Sequence, residues 1–406
     1  MRGKRKRSGG FMKDSSIKRR SKFVFVSVLL IGSLVLSLIL GEIFLRLFFP
    51  QRLYYNISQW DPYVGFTLIP NIEGYSKTDE YVMHMKINSR GLRDREFEFN
   101  KPKKTFRIGV FGDSFTFGEG VQNDEAYPKI LEYRLNNDEG ITSLGVNIQV
   151  LNFGIGKTGT SHQLAWYQKE GKKYELDMVL VGFLSGNDFV NNQGGVFYLK
   201  DDQLIHNPKA YSSVRKLQKI AYRLPFYSWL ANHSHLANLF RKAATIYDDR
   251  RRQRRSEPNR REDIDGEQMT SLANVQLTIK IIEKLQEETS TNKSDFLIVH
   301  LHCKRQKVLS DYSQTEKIPT YVSQWESLHQ YLREKNIKTL DLVSVFSSLS
   351  ESQYYFVKDG HMRKSGHHVA AEHIHEFILP AVMQSMKEKE SVVQSGNGST
   401  ATGLDA

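Results

Sequence analysis

The sequence is poor in cysteine, and that shortage excludes two classes of protein. Cys303 is the only cysteine among 406 residues, so the chain has no internal disulfide and no multi-cysteine metal site. Histidine motifs for zinc are missing as well, because no H-E-x-x-H occurs and Val369 occupies a position that an inverted H-x-x-E-H motif needs. We therefore expect no metal and no cofactor. The C-terminal histidines are expected on the last helix, and they are His367, His368, His373 and His375.

The net charge of +12 does not form a nucleic-acid-binding pattern, because most of it lies in one tail. Residues 1–22 contain ten lysines and arginines against the single acidic residue Asp14. The other basic run, 249–262, lacks interleaved aromatic residues and contains Pro258, which is typical of a solvated loop. We expect no nucleic-acid partner.

Charge is absent from residues 23–40, and the apolar composition continues to Phe49. Eighteen helical residues cover about 27 Å, close to the thickness of a bilayer core. The run is longer than the apolar core of a signal peptide and lacks an A-x-A-like cleavage site. We predict one transmembrane helix at 23–49 after a basic cytoplasmic tail at 1–22, with the rest of the chain outside the cytoplasm. Glu42 and Arg46 stand four apart and are expected to pair at the far interface.

After a turn-rich preamble at 50–104, short apolar runs alternate with helical periodicity. The predicted strands are 106–112, 147–154, 177–184, 295–301 and 337–342, and the predicted helices are 125–137, 160–171, 266–288, 317–335 and 364–386. This alternation predicts an α/β domain over 105–386, a doubly wound parallel sheet covered by helices on both faces. Residues 191–265 interrupt the rhythm as an insertion that we expect to shape substrate access. Residues 387–406 have a disordered composition.

Four polar blocks stand at predicted strand ends, where open α/β sheets bind ligands. Ser114 lies in "GDSFTFG", which is not a G-x-S-x-G elbow, so the serine is either a nucleophile or a helix cap. The block "LNFGIGKTGTS" (151–161) is either a source of backbone N–H donors or a tight turn. "GFLSGNDF" (182–189) contains Asn187, which can donate to an oxyanion, and Asp188, which can orient it or cap a helix.

The fourth block, "FVKDGHMRKSGHH" (356–368), contains Asp359 and His361. A carboxylate that close can orient the imidazole, and histidine has the pKa to accept a proton from serine near neutral pH. His367 and His368 compete with His361 for this role. Four such blocks at one edge of a sheet favour serine-dependent acyl transfer.

In their order and spacing, "GDSFTFG", "LNFGIGKTGT", "GND" and "DGHMRKSGH" resemble the SGNH (GDSL-type) hydrolase superfamily over about residues 105–386. The preamble is similar to the leader of its membrane-anchored bacterial members, which would place the domain in the periplasm. The resemblance implies a three-layer, flavodoxin-like α/β/α fold. It also implies Ser114 as nucleophile, His361 as base, Asp359 as its orienting acid, and an oxyanion hole formed by the Ser114 N–H, a glycine N–H and the Asn187 side chain.

Two positions depart from the family pattern. The usual glycine five residues after the asparagine of its block is Lys157 here, so the N–H donor is either Gly156 or Lys157. The Asp-x-His spacing resembles the branch that contains polysaccharide and peptidoglycan O-acetyl-modifying enzymes. We interpret the protein as an acylesterase acting on an acylated small molecule or glycan. An envelope carbohydrate O-acetyltransferase and a non-catalytic envelope scaffold are the two alternatives.

Overall fold

The computed structural model describes residues 11–51, 53, 57–193, 195–208, 226–243, 264–304, 306–307, 309–312 and 318–398. The predicted solvated arm at 249–262 lies outside these residues, and so do the first ten residues of the basic tail. By their internal contacts the residues form two compact units. One unit comprises 1–54 and 224–258, and the other comprises 55–223 and 259–406.

The first unit contains one long apolar helix, α1 (Phe11–Phe48). Its candidate membrane span, Lys22–Phe48, has a mean hydropathy of 2.9 and is exposed along its apolar window. These bounds agree with the helix predicted at 23–49. The same unit contains two short helical segments, Tyr227–His233 and 235–243, which belong to the predicted insertion. The chain therefore has an N-terminal helix that is long and apolar enough to cross a membrane.

The second unit is built on a five-stranded parallel sheet. The strands in chain order are β1 (Ser58–Asp61), β2 (Gly65–Leu68), β3 (Glu73–Lys77), β4 (Val82–Lys86), β5 (Thr105–Gly112), β6 (Asn147–Asn152), β7 (Met178–Phe183), β8 (Phe197–Lys200), β9 (Gln203–His206), β10 (Asp295–His300) and β11 (Thr339–Asp341). The central sheet has the order β11-β10-β7-β5-β6, and all four pairings are parallel. This is the flavodoxin-like order 2-1-3-4-5, with its switch point beside β5.

Helices cover both faces of this sheet. In the second unit they are α2 (Ser114–Phe117), α3 (Tyr127–Asn136), α4 (Glu139–Ser143), α5 (Thr160–Lys169), α6 (Ser185–Asn192), α7 (Ile264–Thr291), α8 (Thr320–Glu334), α9 (Val343–Ser347), α10 (Glu351–Tyr354) and α11 (Lys364–Gly398). One core cluster joins β5 to α3 and α11, and a second joins the opposite face to α5, α7 and α8. Successive side chains of a strand point to opposite faces of the sheet, so an apolar strand contributes to both clusters. In β5, Ile108 and Val110 belong to the first cluster and Phe111 to the second. The predicted three-layer α/β/α fold is confirmed.

The preamble, for which we expected loops with minor strands, forms antiparallel hairpins that pack on one core cluster. Strands β1 and β2 pair with each other, and so do β3 and β4. Met83 and Met85 of β4 are buried in that cluster. The preamble is therefore part of the folded unit. A third hairpin, β8–β9, lies at the start of the predicted insertion.

The C-terminal helix is longer than the sequence predicted. We expected disorder from residue 387, whereas α11 continues to Gly398. Residues 381–395 contain no glycine or proline and are rich in Met, Gln, Lys and Glu, which favour helix. The composition that we interpreted as disordered is therefore compatible with helix.

Candidate active site

Ser114 follows the first central strand directly. Strand β5 ends at Gly112, and Ser114 is the first residue of α2. The Asp113 side chain accepts a hydrogen bond from the Phe115 N–H at 2.9 Å, so Asp113 rather than Ser114 caps this helix. The Ser114 hydroxyl is thereby free for another partner, and of the two interpretations of this serine the cap is excluded.

That partner is His361. The His361 Nε2 lies 2.7 Å from Ser114 Oγ, and its Nδ1 contacts a carboxylate oxygen of Asp359. His361 and Asp359 lie in the loop that precedes α11. The competing histidine, His367, is buried and its Nδ1 accepts a hydrogen bond from the Tyr127 N–H at 3.2 Å. The geometry therefore joins Ser114, His361 and Asp359 in one hydrogen-bonded series.

The glycine-rich turn after β6 approaches the same serine. A methyl group added at Gly156 would lie 3.7 Å from Ser114 Cβ, and one added at Gly154 would lie 2.2 Å from the Phe117 nitrogen. Gly154 thus permits a close approach to the backbone of α2 that any side chain would prevent. Lys157 has φ of +65°, the left-handed region that glycine adopts most readily. Within the described chain, the N–H groups of Ser114, Gly156 and Lys157 donate no hydrogen bond.

Asn187 faces this site from α6, which follows β7. Its side-chain Nδ2 donates to Asp113 Oδ2 at 2.7 Å. Asp188, the other residue considered as its orienting partner, instead accepts hydrogen bonds from the Leu184 N–H and the Thr160 hydroxyl, each at 2.7 Å. Asp188 therefore fixes the start of α6, whereas Asp113 orients Asn187. Of the two roles considered for Asp188, orienting Asn187 or capping a helix, the structure agrees with the second.

Residues 261–403 match the family model described as "SGNH hydrolase-like domain, acetyltransferase AlgX". The matched region contains Asp359 and His361 but not Ser114. Residues 261–403, about a third of the chain, are therefore similar to an SGNH hydrolase-like domain. No curated protein matches the chain at a significant level.

Solved structures similar to this domain include three bacterial proteins, each at low identity. A putative lipolytic protein of the G-D-S-L family from Desulfitobacterium hafniense DCB-2 is 13% identical, with 67% of this chain and 98% of that chain covered and a TM-score of 0.34. A lipase/acylhydrolase from Enterococcus faecalis is 13% identical, with 67% and 95% covered and a TM-score of 0.36. The esterase EstA from a Pseudoalteromonas species is 10% identical, with 68% and 98% covered and a TM-score of 0.36. Because these TM-scores lie below 0.5, the fold is assigned from the order of the strands in the central sheet.

A cavity of about 490 Å³ opens over Ser114 in the second unit. This volume lies within the usual range for small-molecule sites. The lining residues come from the ends of several strands, and they are Ser114, Phe115, Lys157, Leu184, Gly186, Asn187, Asn191, Cys303, Lys304, Tyr321, Asp359, Gly360 and His361. Ser114, Lys157, Asn187, Asp359 and His361 all appear in it. Residues predicted from four separate blocks of sequence therefore meet in one cavity.

The electrostatics of the site depend on burial and on the Asp359 carboxylate. Burial lowers the pKa of His361, but its hydrogen bond to Asp359 and the charge of that residue outweigh burial and hold the pKa above its usual 6.5. Burial raises the pKa of Asp113, and the hydrogen bonds from Asn187 and the Phe115 N–H offset this only in part. Burial, together with the charge of Asp113, raises the pKa of Asp188 to about 8. The imidazolium form of His361 is thus stabilised relative to a solvated histidine.

Two preamble residues support the Asp359 loop, and sequence reasoning missed both. The carboxylate of Glu80 accepts hydrogen bonds from three consecutive backbone N–H groups, those of Val357, Lys358 and Asp359, at 2.7–2.9 Å. The Tyr81 hydroxyl lies 3.2 Å from Asp359 Oδ2. Nothing in the local pattern of "DEYVMHMK" indicates this role, because the partners are separated by more than 270 residues of chain.

Proposed function

We propose that the protein is a membrane-anchored, serine-dependent acylesterase that hydrolyses ester-linked acyl groups outside the cytoplasm. The observation that carries this proposal is the series Asp359–His361–Ser114, which ends at the floor of the cavity. A serine hydroxyl 2.7 Å from an imidazole nitrogen, with a carboxylate on the other ring nitrogen, is the arrangement of an activated serine nucleophile.

The reaction proceeds through an acyl-enzyme. His361 accepts the hydroxyl proton as Ser114 Oγ attacks the ester carbonyl, and the tetrahedral intermediate collapses as His361 returns that proton to the departing alcohol oxygen. Water then attacks the acyl-enzyme, again with His361 as base, and releases the carboxylic acid. Asp359 favours the charged form of His361 that exists between these proton transfers.

Three donors are assigned to the oxyanion of the tetrahedral intermediate. They are the Ser114 N–H, the Asn187 side chain, and an N–H of the turn at Gly156 and Lys157. One Asn187 hydrogen is already held by Asp113, which leaves the second amide hydrogen for the cavity. The N–H groups have no other partner in the described chain, so they need not break a bond to serve the intermediate.

A carbohydrate O-acetyltransferase is the second candidate function, and the family match favours it. The matching model is described as an acetyltransferase domain. Transfer would use the same residues and the same acyl-enzyme, with a sugar hydroxyl in place of water as the second nucleophile. The two functions therefore differ in what enters the cavity after the first alcohol leaves.

The proposed location outside the cytoplasm rests on α1 and on the charge around it. Ten basic residues precede the apolar span, and the positive-inside rule keeps such a segment in the cytoplasm. The candidate span covers 27 residues, which is ample for a bilayer core. We assign α1 as the anchor and the bacterial periplasm as the location of the second unit.

The experiment that tests this function measures both products of an acyl donor. The full chain in detergent is given p-nitrophenyl acetate with and without a glycan acceptor, and free acetate and acetylated glycan are quantified. We expect acetate release that is lost in Ser114→Ala and retained in Ser143→Ala, an exposed serine on α4. An excess of acetylated glycan over acetate would favour the transferase. Undiminished turnover by Ser114→Ala would contradict both.

A further inference from the structure

The first unit exposes large apolar side chains outside its candidate membrane span. Phe226 and Phe240 are 73% and 64% exposed, and Trp229 is 58% exposed. Leu230 and Leu239 are exposed as well. On the first segment Trp229 and Leu230 follow Phe226 by three and four residues, and on the second Leu239 and Phe240 follow Leu236 by three and four, so each segment has an apolar stripe. We call residues 226–243 the juxtamembrane segment.

The juxtamembrane segment is bound to α1 through the Glu42 carboxylate and the Arg46 side chain. Glu42 of α1 accepts hydrogen bonds from the Ser234 hydroxyl at 2.8 Å and from the backbone N–H groups of His235 and Leu236 at 2.9 Å. Arg46, one turn further along α1, donates to the same carboxylate and to the His233 carbonyl oxygen. Every one of these contacts joins residues of the same compact unit.

The position of Glu42 on α1 determines the level along the helix at which the juxtamembrane segment is bound. Apolar side chains continue beyond it to the end of α1 and to the next residue, and they are 48–70% exposed, namely Ile43, Phe44, Leu47, Phe48 and Phe49. At the rise of an α-helix, Glu42 lies about 9 Å along the axis from Phe48. A carboxylate within an apolar run needs hydrogen-bond donors or a counter-ion, and residues 234–236 and Arg46 supply both. The turn at 234–236 must therefore lie beside α1 at that level.

We propose that the juxtamembrane segment lies in the membrane interface beside α1, with Phe226, Trp229 and Phe240 inserted at the boundary between lipid headgroups and acyl chains. This inference rests on the proposed anchoring by α1. Tryptophan and phenylalanine on short amphipathic helices are the side chains that this boundary favours. The lipid surface is the expected occupant because the segment is continuous, through Glu42, with the helix that enters the bilayer.

Depth measurement by spin labelling tests the inference on the full chain in vesicles of phosphatidylcholine and phosphatidylglycerol. The chain has one cysteine, so Cys303→Ser gives a common background for single labels introduced by Phe240→Cys, Leu34→Cys and Tyr75→Cys. All three positions are 60–64% exposed, and Tyr75 lies in the second unit. We expect collisions with oxygen to dominate at positions 34 and 240, with 240 the shallower. Collisions with a water-soluble nickel chelate should dominate at position 75.

Two results overturn the inference and are distinguishable. If position 240 is as accessible to the nickel chelate as position 75 while position 34 is in lipid, the juxtamembrane segment does not lie in the interface, but α1 is still the anchor. If position 34 is also in water, α1 is not a membrane anchor, and the interfacial position of the segment is then contradicted as well.

A second comparison tests the role of Glu42. We expect Glu42→Gln to raise the nickel-chelate collisions at position 240 several-fold, since a neutral amide holds the 234–236 donors less strongly. The matched control is Ser33→Ala, because the Ser33 hydroxyl bonds only the Leu30 carbonyl of its own helix. An equal, unchanged depth in both variants would contradict the docking of the segment on α1.

Discussion

The second unit contains two serine–histidine–aspartate series with the same hydrogen-bond order but different surroundings. In the outer one, His361 joins Ser114 to Asp359 at the cavity. In the inner one, His300 Nε2 lies 3.0 Å from Ser185 Oγ and its Nδ1 lies 3.0 Å from Asp341. Ser185 and His300 are completely buried. The order of hydrogen bonds alone therefore does not define a reactive serine.

The two series differ in access to the cavity and in the number of other hydrogen bonds that their members make. The inner Ser185 hydroxyl is also 3.3 Å from Gln306 Nε2, and Asp341 accepts further bonds from the Trp325 indole and the Val343 N–H. No inner member reaches the cavity lining, whereas all three outer members do. The inner series ties α6, β10 and β11 together, and α6 carries Asn187. It is a structural support for the outer site.

The largest expected difference between the two series is in the effect of removing each histidine on kcat and on stability. We expect His361→Ala to lower kcat by about 10³–10⁶-fold, because a member of the nucleophile's activating pair is lost. His300→Ala should cost about 2–4 kcal/mol of stability, since it leaves a cavity and unpaired buried groups. Its kcat in the folded state should fall less than about tenfold. Rate assays and thermal melts on both variants check this contrast, and equal rate losses would break it.

The aspartate of the outer series should control the pH profile. With the His361 pKa raised, kcat/KM should increase with pH through a midpoint above 6.5, because the base must be neutral. Asp359→Asn removes the main cause of the shift, so the midpoint should move down and the maximal rate should fall by about 10²–10⁴-fold. The His361–Asp359 pair stabilises the fold fully below pH 6.5, and this contribution is lost as the pH rises through the raised pKa. A profile that Asp359→Asn leaves unmoved would exclude this residue as the orienting acid.

Two further variants separate the roles of Asn187 and Asn191, which both line the cavity. We expect Asn187→Ala to lower kcat by about 10²–10³-fold, the usual effect of losing one oxyanion donor. Asn191 also lines the cavity, but its side chain donates to the Thr158 carbonyl, so Asn191→Ala is the matched control with a smaller effect. Steady-state kinetics measure kcat for both variants and show which asparagine contributes to catalysis. A loss confined to Asn191→Ala would place the oxyanion elsewhere.

The smallest effect is expected at Lys157, where the sequence departs from the SGNH pattern that it resembles. Lys157→Gly keeps the backbone N–H and relieves a left-handed conformation, so stability should rise by about 1 kcal/mol or less. The kcat should change by less than about tenfold if only the N–H serves the oxyanion. Chemical denaturation and kinetics measure the two quantities. A larger loss of rate would assign a role to the lysine ammonium group.

The outer series was largely predictable from the sequence, and the inner one was not. Ser114, Asn187 and His361 follow or precede recognisable strands and helices, so their meeting at one edge follows from parallel topology. Two supporting contacts were not predictable: Asp113 accepts a hydrogen bond from Asn187, and Glu80 accepts one from the Asp359 N–H. Both depend on how side chains from distant segments are oriented in the folded protein. Ser185, His300 and Asp341 belong to no recognisable sequence motif. They become buried and come together only when β10 and β11 pair in the sheet, so the inner series was not predictable.

Covalent labelling tests the central claim most directly. The full chain is treated with a fluorophosphonate, which reacts with activated serines, and the modified residue is located by mass spectrometry of its peptides. We predict one label per chain, on Ser114, with none on Ser185 and none in His361→Ala. A label on Ser185, or full labelling of Ser114→Ala at another serine, would contradict the assignment of the outer series as the reactive one.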